Sequence, residues 1–371
     1  KKPSIWFLAV KADLLSDKID EFDFGNSKNN LKQPNRDNLQ PVRNCIMTSY
    51  EKTSNILLFS KQIILTGPPG TGKTYLAKQI AKSMIGKENH KENEDRETLK
   101  PYVQIIQFHP SYNYEDLVRG IQVSTDQNQI IYTTQNRILG EMAQEAQSSN
   151  DTNYVLIIDE INRCNLSSVL GELIYALEYR GQKVRTPYMV DGTFEIALPD
   201  NFYIIGTMNT ADRSIALLDS ALRRRFRFEE LTPKPELLRP IDDGAGNPID
   251  LRELLQAMNA RLSRLLHRDQ TLGHSYFYHV KSFEELRRVF AREVLPFLQE
   301  AFYDDWRQIR YILADQTVEE ELQLVRARTQ SAAVLFPKTD PAEIGDGEAF
   351  EIIREDDITP DAIRKIYELS E

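Results

Sequence analysis

Three glycines, a lysine and a threonine in the run Gly67-Pro68-Pro69-Gly70-Thr71-Gly72-Lys73-Thr74 have the make-up of a polyphosphate site. The glycines admit backbone conformations that turn successive N–H groups inward around phosphate oxygens, and a helix beginning at about Tyr75 adds its partial positive charge. Lys73 is placed to reach the β- and γ-phosphates, and the Thr74 hydroxyl to hold Mg²⁺. Further along, residues 154–160 (YVLIIDE) form an apolar run closed by two acids. Asp159 can hold Mg²⁺ there, directly or through water, and Glu160 can orient and deprotonate an attacking water. Two acids after an apolar run also occur where a strand merely meets solvent. Downstream of a full phosphate loop they read as the carboxylates of a phosphoryl-transfer site. Asp219 and the run Arg223-Arg224-Arg225-Phe226-Arg227 follow later. Neighbours on a helix differ by about 100°, so at least one arginine is free for an adjacent subunit, unless the run is only a basic surface patch.

These groups need elements to hold them. The apolar run 63–65 reads as a buried parallel strand entering the loop, and residues from Tyr75 to about 85 as the helix leaving it. Strands are expected at 102–108 and 202–209 (FYIIGTMN), and helices at 137–146 and 161–180. Hairpins are expected over 122–134, turning at Asp126-Gln127-Asn128, and over 183–198, turning at Asp191-Gly192. In open parallel sheets ligands lie beyond the carboxyl ends of the strands, which puts Asn209 beside the attacking water or the γ-phosphate. Tyr112, Tyr114, Glu115 and Asp116 either pack or form a nucleotide-side or subunit-side loop. After residue 231 the pattern turns helical, over 251–266, over 283–298 and from Thr359, with Pro360 in the first turn of the last. The expected fold is α/β, a doubly wound parallel sheet over 56–230 followed by a helical lid over 231–371. Residues 1–55 are expected to be an N-terminal segment or linker, polar and rich in Asn and Lys over 23–43.

With 371 residues the chain is long enough for two or three domains. Two cysteines, Cys45 and Cys164, exclude a disulfide framework and suit a reducing cytoplasm. No apolar run approaches the roughly eighteen residues that span a bilayer, so no membrane partner is expected. The chain starts at Lys1 rather than Met, which leaves room for an upstream domain. Its net charge of −10 is uneven. Residues 336–371 hold eleven acidic and four basic residues, and are read as an acidic tail, a solvated face or mobile end.

GPPGTGKT, YVLIIDE, the strand ending in Asn209 and the arginines before Phe226 together resemble an AAA+ P-loop NTPase. FHPSYNYEDLVRG, DEINRCNLSSVLGEL, MNTADRSIALLDSALRRRF and LGHSYF resemble more closely the McrB family, GTP-hydrolysing ring motors of modified-DNA restriction systems. The likeness runs from about residue 63 to 277, and MNTADRS is its most specific element. It implies GTP, or ATP, with Mg²⁺ as cofactors. It also implies a hexameric ring, a McrC-type endonuclease partner, and modified DNA read through an upstream domain. Asn209 falls on the sensor-1 position, and Asn209 to Asp212 on the NTAD signature associated with guanine nucleotides. Arg224 and Arg225 fall on the arginine-finger block, and Arg163 on a family arginine implicated in contacts between subunits. His274 stands where many AAA+ proteins have a sensor-2 arginine, and can equally be a capping residue. Two rival readings stay open, a MoxR- or dynein-like ATPase that remodels proteins and a nucleotide-binding scaffold without turnover.

Overall fold

The computed structural model describes residues 40–85, 101–126, 129–149, 151–211, 219–316, 318–335 and 347–368. They group into two compact units. The first takes in the described residues up to Thr66 and those of Lys73–Glu230, the second Gly67–Gly72 and the described residues from Leu231 onward.

The first unit opens with α1 (Gln40–Ser60). The expected linker over 23–43 is corrected at its end, because the helix already starts at Gln40 with Pro41 in its first turn. Tyr50, Thr53 and Leu57 make a buried stripe at helical spacing that the polar composition conceals. The following elements are β1 (Gln62–Gly67), α2 (Lys73–Met84), β2 (Val103–Gln107), α3 (Tyr114–Leu117), β3 (Arg119–Asp126), β4 (Gln129–Asn136), α4 (Ile138–Ser148) and β5 (Tyr154–Asp159). Then come α5 (Leu166–Leu170), α6 (Leu173–Glu178), β6 (Val184–Val190), β7 (Thr193–Ile196), β8 (Phe202–Asn209), α7 (Ser220–Arg225) and β9 (Arg227–Glu230).

Five strands form the sheet in the order β2-β5-β8-β1-β9. The pairs β2/β5, β5/β8 and β1/β9 are parallel, as expected of a doubly wound α/β sheet. Residues 63–65, 155–158 and 204–205 are fully buried, which is why these strands read as continuous apolar runs rather than alternating ones. Gln107 lies opposite Asp159 in the register, so the polar ends of neighbouring strands reach one edge of the sheet.

The helix expected over 161–180 is two short helices. Gly171 has φ 52°, and a Cβ there would sit 3.2 Å from the Tyr114 ring, so the chain turns around that ring. Tyr114 also donates to Glu172 Oε1 at 2.5 Å. Asn113 and Asp116 form a capping box, and Tyr112 packs on Phe108 with ring centroids 4.5 Å apart. The tyrosine cluster is therefore packing. Both hairpins form as expected, β3/β4 and β6/β7. Arg119, 4% exposed, joins them by donating to Asn136 Oδ1 and Thr186 Oγ1, both at 2.9 Å, and to the carbonyl of Glu195 at 3.1 Å. Burial lowers its pKa.

In the second unit the helices include α8 (Leu251–Leu265), α9 (Ser275–Tyr278), α10 (Phe283–Val289), α11 (Leu295–Ala301), α12 (Trp306–Leu313) and α13 (Pro360–Glu368). A π-turn over Phe290–Val294 joins α10 to α11. Asp250 caps α8 by accepting from the Arg252 and Glu253 amides. Two features correct the sequence reading. The unit is not wholly helical, since Val325–Gln330 pairs antiparallel with Gly347–Ile352. Nor is the described part of 336–371 a solvated tail, because Ile353, Ile358, Ala362, Ile363 and Ile366 lie in the core of the unit. Lys365 forms an ion pair there with Asp315, which also accepts from the Leu324 and Val325 amides at 3.0 and 2.8 Å. Among the described residues, the acidic side chains of Glu348 and Glu351 on the strand and of Asp361 and Glu368 on the helix are exposed. No described helix is long and apolar enough to cross a membrane.

Candidate functional site

In the first unit the chemistry gathers where β5 and β8 end. Thr74, in the first turn of α2, donates its hydroxyl proton to Asp159 Oδ1 at 2.8 Å. Lys73 beside it is buried, 7% exposed. Tyr75 is about half-exposed on the next position of the helix. Glu160 follows β5 with φ 54°, a left-handed conformation that costs a non-glycine residue about 1–3 kcal/mol and gathers at functional turns. Its carboxylate is held on both sides, by Asn209 Nδ2 donating to Oε1 at 2.7 Å and by Arg163 Nε 3.4 Å from Oε2. Thr74 with Asp159, and Asn209 and Arg163 with Glu160, are thus joined by hydrogen bonds, although the five residues come from three segments of the chain. Arg163, read as a candidate for contacts between subunits, bonds here to the chain's own Glu160.

Sequence reasoning missed Thr207. It is 2% exposed in β8, donates to Asp159 Oδ1 at 2.5 Å and accepts the Glu160 amide at 3.2 Å. The signal was present. A hydroxyl in the run FYIIGTMN shares a strand face with Asn209, two residues on.

The arginine block sorts itself. Asp219 caps α7 by accepting the Leu222 amide at 2.9 Å and also accepts from Ser167, the bond that most lowers its pKa. Its observed work is to start the helix. Arg225 is tied down, 2.7 Å from Glu178 Oε2 and donating to the Ala221 carbonyl at 2.9 Å. Its own carbonyl accepts from buried Gln62 at 2.8 Å. Arg223 lies over the Phe228 ring, 5.9 Å from its centroid. Arg224 is exposed and makes no hydrogen bond or ion pair among the described residues. Asp212 lies outside the described residues.

The loop 67–72 belongs by its contacts to the second unit. Gly67, Gly70 and Gly72 have φ 145°, 78° and 79°. Thr71 closes the turn by donating to the Pro68 carbonyl at 2.9 Å. The segment before α9 packs directly on this backbone, with Gly273 N–H donating to Pro69 O at 3.1 Å and Ser275 N–H to Gly70 O at 3.0 Å. A Cβ on Gly273 would lie 2.0 Å from the Gly70 carbonyl carbon, so only glycine allows this approach. His274 stands at the N-cap of α9 but makes no side-chain capping bond. Its Nδ1 accepts from the Lys234 amide at 3.3 Å, which leaves Nε2 carrying the proton, 3.9 Å from where a Cβ on Gly72 would sit. Burial first, then the charge of Lys234, bring its pKa down to about 4 against the pull of Glu236. At neutral pH it offers a donor without a charge, unlike an arginine.

This burial makes a pH prediction. An unfolded histidine takes up its proton at about pH 6.5, whereas folded His274 does so only at about 4. Between those values the unfolded chain binds the extra proton, so stability falls as pH drops through that window, by up to about 3 kcal/mol. Urea unfolding from pH 7 to 4 is expected to show a flatter dependence for His274→Asn than for the unaltered chain. Parallel curves would count against a buried neutral imidazole.

The oxygen donors of Thr74 and Asp159 suit Mg²⁺, a hard ion that takes one or two protein oxygens and fills its shell from phosphates and water.

Comparison with known proteins adds to this geometry. Residues 62–226 match the AAA domain of the dynein-related subfamily, and residues 250–310 the McrB alpha-helical lid domain. The chain is 34% identical over 277 residues to the type IV methyl-directed restriction enzyme EcoKMcrB subunit of Escherichia coli K12. That match covers 70% of this chain and 57% of the relative, so the chain spans little more than half of that protein's length. It is 26% identical over 283 residues to the type II restriction enzyme BsuMI component YdiS of Bacillus subtilis 168, covering 64% of this chain and 78% of that one.

Proposed function

The chain is a McrB-like AAA+ protein, an AAA domain of P-loop NTPase type followed by a McrB lid, and from that premise we propose that it hydrolyses GTP in preference to ATP, at the β–γ bond. The observation that carries the reading is the Glu160 carboxylate, held by Asn209 and Arg163 one residue after an aspartate bonded to Thr74. A base fixed in that way can take the proton of an attacking water as it forms its bond to phosphorus. Lys73 and the loop amides would bind the phosphates, and Thr74 and Asp159 would hold Mg²⁺. Bound Mg²⁺ neutralises charge on the β- and γ-phosphate oxygens. Little covalent chemistry is asked of the protein, so orientation and charge carry the rate.

The preference for guanine rests on the likeness of Asn209 to Asp212 to the NTAD signature. Exposed Arg224 supports a ring, hexameric by family likeness, in which an arginine of one subunit completes the site of the next. Two relatives named as restriction-enzyme components support a place in a cytoplasmic restriction system that acts against phage. There the motor drives a McrC-type endonuclease on modified DNA.

Competition of GTP and ATP for the full chain at equal Mg²⁺, read with phosphate release, tests the proposal. Tighter binding and faster turnover of GTP are expected. Tighter ATP binding would favour the dynein-like ATPase reading, and tight binding without turnover of either would favour a switch scaffold.

A further inference from the structure

We propose that Thr207 is a positioning residue that holds the Asp159–Glu160 turn in its working shape and so couples Mg²⁺ to nucleotide binding and hydrolysis. The inference rests on the proposed reading of the Asp159 site. Thr207 holds three consecutive residues. Its hydroxyl donates to Asp159 Oδ1 at 2.5 Å and accepts the Glu160 N–H at 3.2 Å, and its carbonyl accepts the Ile161 N–H at 2.9 Å.

Each bond has a consequence. Asp159 Oδ1 receives two hydroxyl protons, from Thr74 and from Thr207, which fixes the rotation of the carboxylate. With its proton committed to Asp159, the Thr74 hydroxyl keeps its lone pairs for a cation. The Glu160 amide sits in a left-handed residue, and the Thr207 oxygen is its acceptor. Without that acceptor the turn is free to relax toward an ordinary φ, which swings the Glu160 carboxylate away from Asn209. Thr207 and Asn209, on one face of β8, therefore hold the backbone and the side chain of the same base. The hydroxyl is 2% exposed with the rest of the residue, so water does not readily replace it.

Valine has nearly the shape of threonine but neither hydrogen bond, and serine keeps both bonds while losing the methyl group. The test compares the full chain with Thr207→Val, Thr207→Ala and Thr207→Ser. It measures unfolding midpoint, affinity for a fluorescent non-hydrolysable GTP analogue with and without Mg²⁺, and turnover. Substitutions in the outer shell of a metal site typically cost about 10–100-fold in metal affinity or activity. Val and Ala are expected to leave Mg²⁺-free affinity within about twofold, raise the Mg²⁺ concentration needed for tight binding by about tenfold, and lower turnover by about 10–100-fold. Ser is expected to behave as the unaltered chain. A Val variant with the original Mg²⁺ response, or a Ser variant as impaired as Val, would overturn the proposal. Should Val fail to fold, the Ala and Ser pair decides on the same readouts. Absence of turnover in the unaltered chain would defeat the NTPase reading, while the Mg²⁺ response of analogue binding still judges Thr207.

Discussion

Glu160→Gln is expected to lower turnover by about 10²–10⁴-fold, the range a positioned general base contributes, while leaving Mg²⁺-nucleotide affinity nearly unchanged. Glutamine keeps an Oε1 to accept from Asn209 Nδ2, so the turn and its hydrogen bond survive. It loses the second carboxylate oxygen that faces Arg163, and with it the ability to take a proton from water. Phosphate release under single-turnover conditions measures the loss, and a fluorescent nucleotide measures affinity. Equal loss of both would show that Glu160 holds the ground-state complex rather than the attacking water.

The parts of this site that could be read from the sequence are those in which one short run determines its own environment. YVLIIDE and FYIIGTMN are buried on both faces, so they read as central strands, and their polar ends had to meet at one edge of the sheet. What stayed hidden depends on contacts between runs. The break at Gly171 follows from the ring of Tyr114, more than fifty residues earlier in the chain. Arg119 looks like a surface arginine until two hairpins close around it. Thr207 reads as a β-former because its partners lie on another strand. The acidic C-terminal segment was misread because net charge outweighed a second signal, the buried stripe of Ala362, Ile363 and Ile366. The three arginines of α7 could not be ranked by type or spacing. Glu178, Gln62 and Phe228 rank them, by holding Arg225 and Arg223 and leaving Arg224 exposed.

That ranking gives the second large effect. Arg224→Ala is expected to depress hydrolysis by about 10³–10⁵-fold, the worth of an arginine finger acting across a subunit boundary. Nucleotide affinity of the isolated subunit should remain nearly intact. An exposed charge with no such role typically contributes under about 1 kcal/mol, so the two readings are far apart. Arg225→Ala should act mainly on stability, because it breaks the Glu178 contact inside its own subunit.

Mixing inactive subunits tests the central claim most directly. A Glu160→Gln subunit has a dead site but a sound Arg224, and an Arg224→Ala subunit has a sound site but no finger. Each is expected to be inactive alone. In co-assembled mixed rings some interfaces bring a sound site against a sound finger, and GTP hydrolysis is predicted to reappear, greatest near equal proportions. Mixed assemblies shown to contain both variants, yet hydrolysing no faster than either alone, would contradict an active site completed by the neighbouring subunit.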